Sequence, residues 1–514
     1  MSRPSNRRQF LRHGAALGGI AASPWALNLS QLGTATAQTT ATDYKALVCI
    51  FLAGGNDAHN TVIPTDAVSW RCYAGTRDPV LRAQLAMTTP DASAATSSLA
   101  LPQSAILPIT HLNKAGQNFG RTFALHPQLK QVKQLYASGK AAIVANVGPL
   151  IAPTDKDVDL PDPLFPLPRK LYSHNDQTST WQSFQTEGAT GGWGGRFMDS
   201  LGSLNGNSTF SSIGVGSPSV WLAGNSVTPY QIGTTGVFTL GGESGSIMGS
   251  SALYQGVRSA AALADASDPF AQDYARVVTR ALSSETILKA AMPSATMAPW
   301  GTPGAASQAA DPLLKYVSPA TGLSTFNPLA AQLQLVARML AARNNSRIGA
   351  KRQVFMVNLG SFDTHSAQLT NHAELLAKLD HAIGYFYNLL GTMPDGTNMR
   401  SQVTTFTASE FGRALVNNGD GTDHGWGGHH FVIGDAVKGT DVYGAYPQFD
   451  VFDGVGGFYG KDLLQGGVLL PRIALDQYVY TLGKWMGVSD TNLQASCPNL
   501  QNFEPATHNI GFMG

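Results

Sequence analysis

Residues 44–57 read YKALVCIFLAGGND, and this stretch decides the fold. Its apolar residues run on without alternating with polar ones. That suits a strand covered on both faces, as in a parallel sheet packed between helices, better than one with a wet side. The glycines that follow let the backbone turn tightly, and Asp57 stands as a carboxylate just past the strand. In open α/β sheets ligands bind at the carboxyl ends of the strands, so the later strand ends are where chemistry is expected.

Working outward, residues 126–139 carry Leu129, Val132 and Leu135 on one helical face, and residues 141–147 form a second buried strand. Strand, helix, strand is the order a doubly wound, mostly parallel sheet with helices on both faces requires. Residues 353–359 predict a third strand, ending in Ser361-Phe362-Asp363-Thr364-His365. Residues 403–408 predict a fourth, ending in Ser409-Glu410-Phe411-Gly412-Arg413. A Gly/Asn/Asp-rich loop then carries Asp423-His424 and His429-His430 before the chain turns apolar again at 431–433. Helices are expected at 269–291, 328–341, 373–390 and 475–486. Residues 66–120 read as a long excursion, 191–196 as a glycine-rich turn, and 212–326 as a Ser/Gly/Ala-rich insertion or lid. His372 and His381 read as surface or packing residues.

The chain has 514 residues, 13% of them charged, and a formal net charge of +1. It therefore lacks the basic footprint of a nucleic-acid binder. Arg7-Arg8-Gln9-Phe10-Leu11-Arg12 precedes a weakly apolar segment, 14–27, and then Ala35-Thr36-Ala37. This is a twin-arginine type of signal, residues 1–37, leaving a mature domain of 38–514 destined for the periplasm or secretion. The translocase is then a partner during export, a route that carries folded proteins and suits a preloaded metal. No apolar run approaches the ~20 residues of a stable membrane span. Cys49 reads as a core residue, while a Cys72–Cys497 bridge stays open.

Carboxylates and imidazoles thus recur at successive strand ends: Asp57, then Asp363 and His365, then Glu410, Asp423, His424, His429 and His430. Together they suit one or two divalent ions, zinc or manganese first. Residues 169–177, RKLYSHNDQ, add Ser173, a nucleophile or a helix cap, and His174, which could orient that nucleophile or bind metal. Arg413 could clamp a tetrahedral oxyanion or serve as a structural ion pair.

Through Ala53-Gly-Gly-Asn-Asp57, Leu125-His-Pro127, Ser173-His174, Phe362-Asp-Thr-His365, Ser409-Glu-Phe-Gly-Arg413 and Gly421-Thr-Asp-His-Gly425, the sequence resembles a bacterial family of twin-arginine-exported proteins of unknown function, the domain of unknown function 1501 family. That family is itself related to the alkaline phosphatase and sulfatase superfamily. The resemblance implies an alkaline-phosphatase-like fold, a two-metal site, Asp57 as the first-strand metal ligand, Ser173 in the nucleophile's place, and Asp363 and His365 as later ligands. The superfamily often spaces that last pair as D-x-x-x-H, against D-x-H here, and either Glu410 or Asp423-His424 matches its Asp-His pair. The function implied is an exported hydrolase of small phosphate or sulfate esters. The alternative is a non-catalytic periplasmic binding or assembly protein that retains the fold.

Overall fold

A computed structural model describes residues 43–84, 97–114, 116–237, 246–261, 263, 268–449 and 460–514. The expected signal, residues 1–37, lies outside the described residues. The chain is a mixed α/β protein whose described residues build a nine-stranded sheet. Its strands are β1 (Lys45–Leu52), β2 (Ala141–Gly148), β3 (Ser212–Val215), β4 (Tyr230–Ile232), β5 (Arg352–Leu359), β6 (Val403–Ala408), β9 (Gly428–Ile433), β10 (Val442–Tyr443) and β11 (Ile473–Ala474). The numbers β7 and β8 belong to a separate hairpin, Arg413–Asn417 with Thr422–His424.

The sheet runs β10-β2-β9-β6-β1-β5-β3-β4, with β11 also on β2. Neighbours pair in parallel except at β9, which is antiparallel to both β6 and β2. The sheet is therefore mostly parallel. Every residue of β1 from Ala46 to Leu52 is buried, as its unbroken apolar run requires. Leu47, Cys49 and Phe51 join one core with Trp181, Trp193, Phe197, Tyr478 and Leu482. Those side chains come from helices α2 (His174–Ser183), α3 (Trp193–Leu201) and α6 (Leu475–Met486), where α1 is Ala67–Arg77. Each large side chain buried this way contributes roughly 1.5–3 kcal/mol. Val48 and Ile50 are equally buried on the alternate side of the strand. Helix α4 (Pro328–Ala341) packs on β5 and on α5 (Gln368–Leu390).

Several expectations change here. Residues 66–120 hold helix α1, whose N-cap Asp66 accepts from Ser69 N. The glycine-rich 191–196 stretch opens α3 rather than a turn. A Cβ at Gly195 would meet the Ala223 backbone at 2.1 Å, so its glycine serves a helix packed against a chain. The segment at 212–326 supplies β3 and β4 to the sheet edge instead of only covering it. Cys72 and Cys497 are both buried and are not bridged to each other. His372, read as a surface or packing residue, is the packing one of those two: it is buried, with Nε2 3.0 Å from Asn56 Oδ1.

Candidate metal centre

Three loops at the carboxyl ends of β1, β5 and β6 are stitched together before any ligand is considered. Phe362 N donates to Ala53 O at 3.0 Å, and Gly54 N donates to Glu410 Oε1 at 2.7 Å. The first and second loops approach so closely that a Cβ on Gly54 would lie 2.3 Å from Asp363 N, and Gly54 itself has φ +118°. Only glycine fits there. That contact fixes Asp363 at the rim, where the β7–β8 hairpin delivers His424 and the first residue of α2 delivers His174.

The ligand atoms of His174, Asp363 and His424 all lie within 4.8 Å of one another. His174 Nε2 is 3.5 Å from Asp363 Oδ2, and His424 Nε2 is 3.5 Å from Asp363 Oδ1. His365 Nε2 joins them at 3.1 Å from Asp363 Oδ1 and 2.9 Å from His424 Nε2. The Phe411 ring lies beneath, its centroid 4.9 Å from His174 and 4.7 Å from His424.

What each imidazole does with its other nitrogen is decisive. His174 Nδ1 is 3.0 Å from Glu410 Oε1, and His424 Nδ1 is 2.7 Å from Tyr172 O. A carboxylate and a carbonyl only accept, so in the neutral ring each Nδ1 carries the proton and each Nε2 keeps its lone pair. His365 Nδ1 faces Asp423 Oδ1 at 3.6 Å. Two lone pairs, those of His174 and His424, are thereby turned toward Asp363, while the 2.9 Å contact makes His365 Nε2 the donor to His424 Nε2. The buried His174 Nε2 has no hydrogen-bond partner, and an acceptor left so is costly unless something electrophilic meets it. Imidazole backed by a carboxylate or carbonyl is how protein sites orient a metal ligand, so these residues fit a divalent cation.

The electrostatics agree. The Glu410 hydrogen bond raises the His174 pKa, whereas burial lowers that of His424. For Asp363, burial pulls upward, but Arg413 and the imidazoles of His365 and His174 outweigh it and hold the carboxyl below its usual range.

The other expected residues fall elsewhere. Glu410 is buried and orients His174 rather than facing the centre. Asp423 is exposed and bonded to Asn418. Arg413 is fully buried, donating to Gly54 O, Asp363 Oδ1, Thr422 Oγ1 and Thr422 O, so no free edge is left for an oxyanion. Ser173 is the N-cap residue of α2, with its hydroxyl donating to Asp176 Oδ2 at 2.8 Å. Asp57 is sealed against Arg77, at 2.5 and 2.9 Å, and accepts from Gln368 at 2.6 Å. His429 and His430 lie within β9, on opposite sides of the strand. His429 Nδ1 accepts from Asn146 N, and His430 packs on Trp181 and Tyr478. The sequence reading missed Arg77, Gln368, Thr422 and the Tyr172 carbonyl. None of their roles carried a signal: the helix that ends at Arg77 has no amphipathic pattern, and Thr422 stood out only as part of the Gly421–Gly425 motif.

The fold and the cluster define a mixed α/β protein with a histidine–carboxylate group at the carboxyl end of its sheet. Residues 247–496 match the model of a family described as "Protein of unknown function (DUF1501)", in line with the resemblance read from the motifs. None of the curated proteins matches the chain. Among the described residues no helix is long and apolar enough to cross a membrane.

Proposed function

We propose that the chain is an exported metal-dependent hydrolase of phosphate or sulfate esters, built on an alkaline-phosphatase-like fold and carried to the periplasm or beyond by the twin-arginine translocase. One observation carries the metal part of this reading: His174 and His424 turn their Nε2 atoms toward Asp363, while their Nδ1 atoms face Glu410 Oε1 and Tyr172 O. Among the described residues this is the one group with metal-ligand spacing, which favours a single zinc or manganese ion over a pair. Such an ion supplies Lewis acidity toward an ester oxygen and activates water at neutral pH.

The chain's own residues do the rest. Glu410 fixes the His174 ring, Tyr172 O fixes that of His424, and Arg413 pins Asp363 from behind. Asp363 and His365 are each 44% exposed, which leaves the solvent side open to a substrate. Ser173 adjoins His174, and its hydroxyl already donates to Asp176, an acceptor placed to take the proton if Ser173 attacks. The export part rests on Arg7-Arg8 and the segment that follows them.

The second reading, a non-catalytic exported binding or assembly protein, draws on one observation: Arg413, the cation nearest the centre, is spent on internal partners. Elemental analysis of protein folded in its own cytoplasm, followed by a panel of phosphate and sulfate esters, separates the two. The expected result is about one ion per chain, with ion and hydrolysis both lost in Asp363→Asn and His424→Ala at unchanged circular dichroism. Metal-free protein of full stability, inert to the panel, would establish the second reading instead.

A further inference from the structure

A cavity of about 380 Å³, within the range of small-molecule pockets, lies against Pro168 and Arg169, a few residues before Tyr172 and His174 in the chain. Its walls come from Pro149, Leu150 and Ile151, just past the end of β2, and from Pro168 and Phe184. These make an apolar wall, and Thr180, Gln185, Thr186 and Asn499 add polar groups to the rest of the lining. Two ionisable groups bound it and they differ in kind. Asp476 is buried, raised to about 6 by that burial, and already accepts from Asn499 N at 2.9 Å and Asn499 Nδ2 at 3.4 Å. Arg169 is exposed, and among the described residues no hydrogen bond or ion pair takes up its guanidinium.

The Arg169 backbone, by contrast, is fixed: its carbonyl accepts from Gln177 Nε2 at 3.2 Å. The side chain is a free cation on an anchored stem. An anionic head is repelled by Asp476 at the buried end and attracted to Arg169, which also offers paired donors for a carboxylate, sulfonate or phosphate. The apolar body of the same molecule would cover Leu150 and Phe184.

We infer that this cavity is a second small-molecule site, for an organic anion with an apolar body whose head group is held by Arg169. It goes beyond the hydrolase reading and needs no metal.

Titration with 2-naphthalenesulfonate, an aryl anion with no ester bond to cleave, tests it in the full-length protein by fluorescence. Saturable binding is expected, weakened about tenfold or more in Arg169→Gln and as salt rises, and lost in Thr180→Trp, which fills the cavity. The neutral naphthalene-2-methanol should bind wild type and Arg169→Gln alike. Binding should persist in Asp363→Asn, so failure of the metal reading leaves this result standing. Arg169 is on the surface, so its variant remains informative even if Thr180→Trp fails to fold. No saturable binding by wild type, or equal binding of the sulfonate by wild type and Arg169→Gln, would overturn the assignment.

Discussion

Two aspartate–arginine pairs stand at opposite ends of one chain of hydrogen bonds. Arg77 binds Asp57, Gln368 donates to the same carboxylate, Thr422 donates to Gln368 at 2.6 Å, and Arg413 donates to Thr422 and to Asp363. Asp57–Arg77 is wholly buried, whereas Asp363 is open on its solvent side. A sealed pair with every lone pair satisfied has nothing left to offer a ligand. An open one keeps a carboxylate poised between its arginine and the three imidazoles. The histidines repeat the contrast. His424 sits at the rim, and His430, six residues later, is enclosed by aromatic rings. Exposure together with an acceptor behind each ring separates a ligand from a packed residue, and distance along the chain does not.

The largest effect should come from acid, acting on the sealed side. Burial lowers His59, His126 and His430 to about 3 and His372 to about 4. Above about pH 6.5 both the folded and the unfolded chain hold neutral imidazoles. Below it the unfolded chain takes up protons that the folded core refuses, so stability is lost as pH falls from about 6.5 toward 3–4 by up to about 1.4 kcal/mol per histidine per pH unit. Asp380 and Asp476, raised to about 6 by burial, oppose this: their contribution is present at low pH and fades as pH rises through 6. Four sites outweigh two. Urea unfolding of metal-free protein at pH 7, 6 and 5 should show a steep decline, made shallower by about one proton in His430→Phe. A flat profile would mean that those histidines are not held neutral in the core.

Next comes the pair itself. Asp57→Ala leaves the Arg77 guanidinium buried and uncompensated, which costs about 3–5 kcal/mol in chemical denaturation. Asp363→Asn removes the counter-charge of buried Arg413 but leaves it a hydrogen-bond acceptor on a half-exposed side chain, and should cost less, about 1–2 kcal/mol, while abolishing metal binding. If both variants lost metal and neither lost stability, Asp57 would be a ligand and the contrast drawn here would collapse.

The strands at 44–52, 141–147, 353–359 and 403–408 were legible because a run buried on both faces needs unbroken apolar residues. So was the clustering of Asp363, His365 and His424, since parallel strands bring their carboxyl ends to one edge. The reversal of β9 was not. Its two histidines look like loop chemistry until strand pairing seals both, and a buried neutral imidazole leaves no mark in sequence. Nor could the fate of Asp57 be read, because it depends on Arg77, delivered by a helix inside what looked like structureless excursion. Glu410 was seen as a ligand in the right place, yet whether a carboxylate touches a cation or the imidazole beside it is settled by about 3 Å, which only packing determines.

That last distinction gives the finest test of the open site. Glu410 accepts from Gly54 N and from His174 Nδ1 and is itself buried, so its charge acts on the cation only through the ring. Glu410→Gln keeps an amide oxygen able to accept from Nδ1 and removes the negative charge that makes the imidazole a better donor. Substitutions of this kind behind a metal-binding histidine typically weaken affinity about 10- to 100-fold. Competition with a zinc-binding dye should give that loss with full occupancy still reached at higher zinc. A direct ligand would behave differently: its removal would lower the stoichiometry attainable at saturation, as in His424→Ala, and finding that for Glu410→Gln would move Glu410 from behind the histidine to beside the ion.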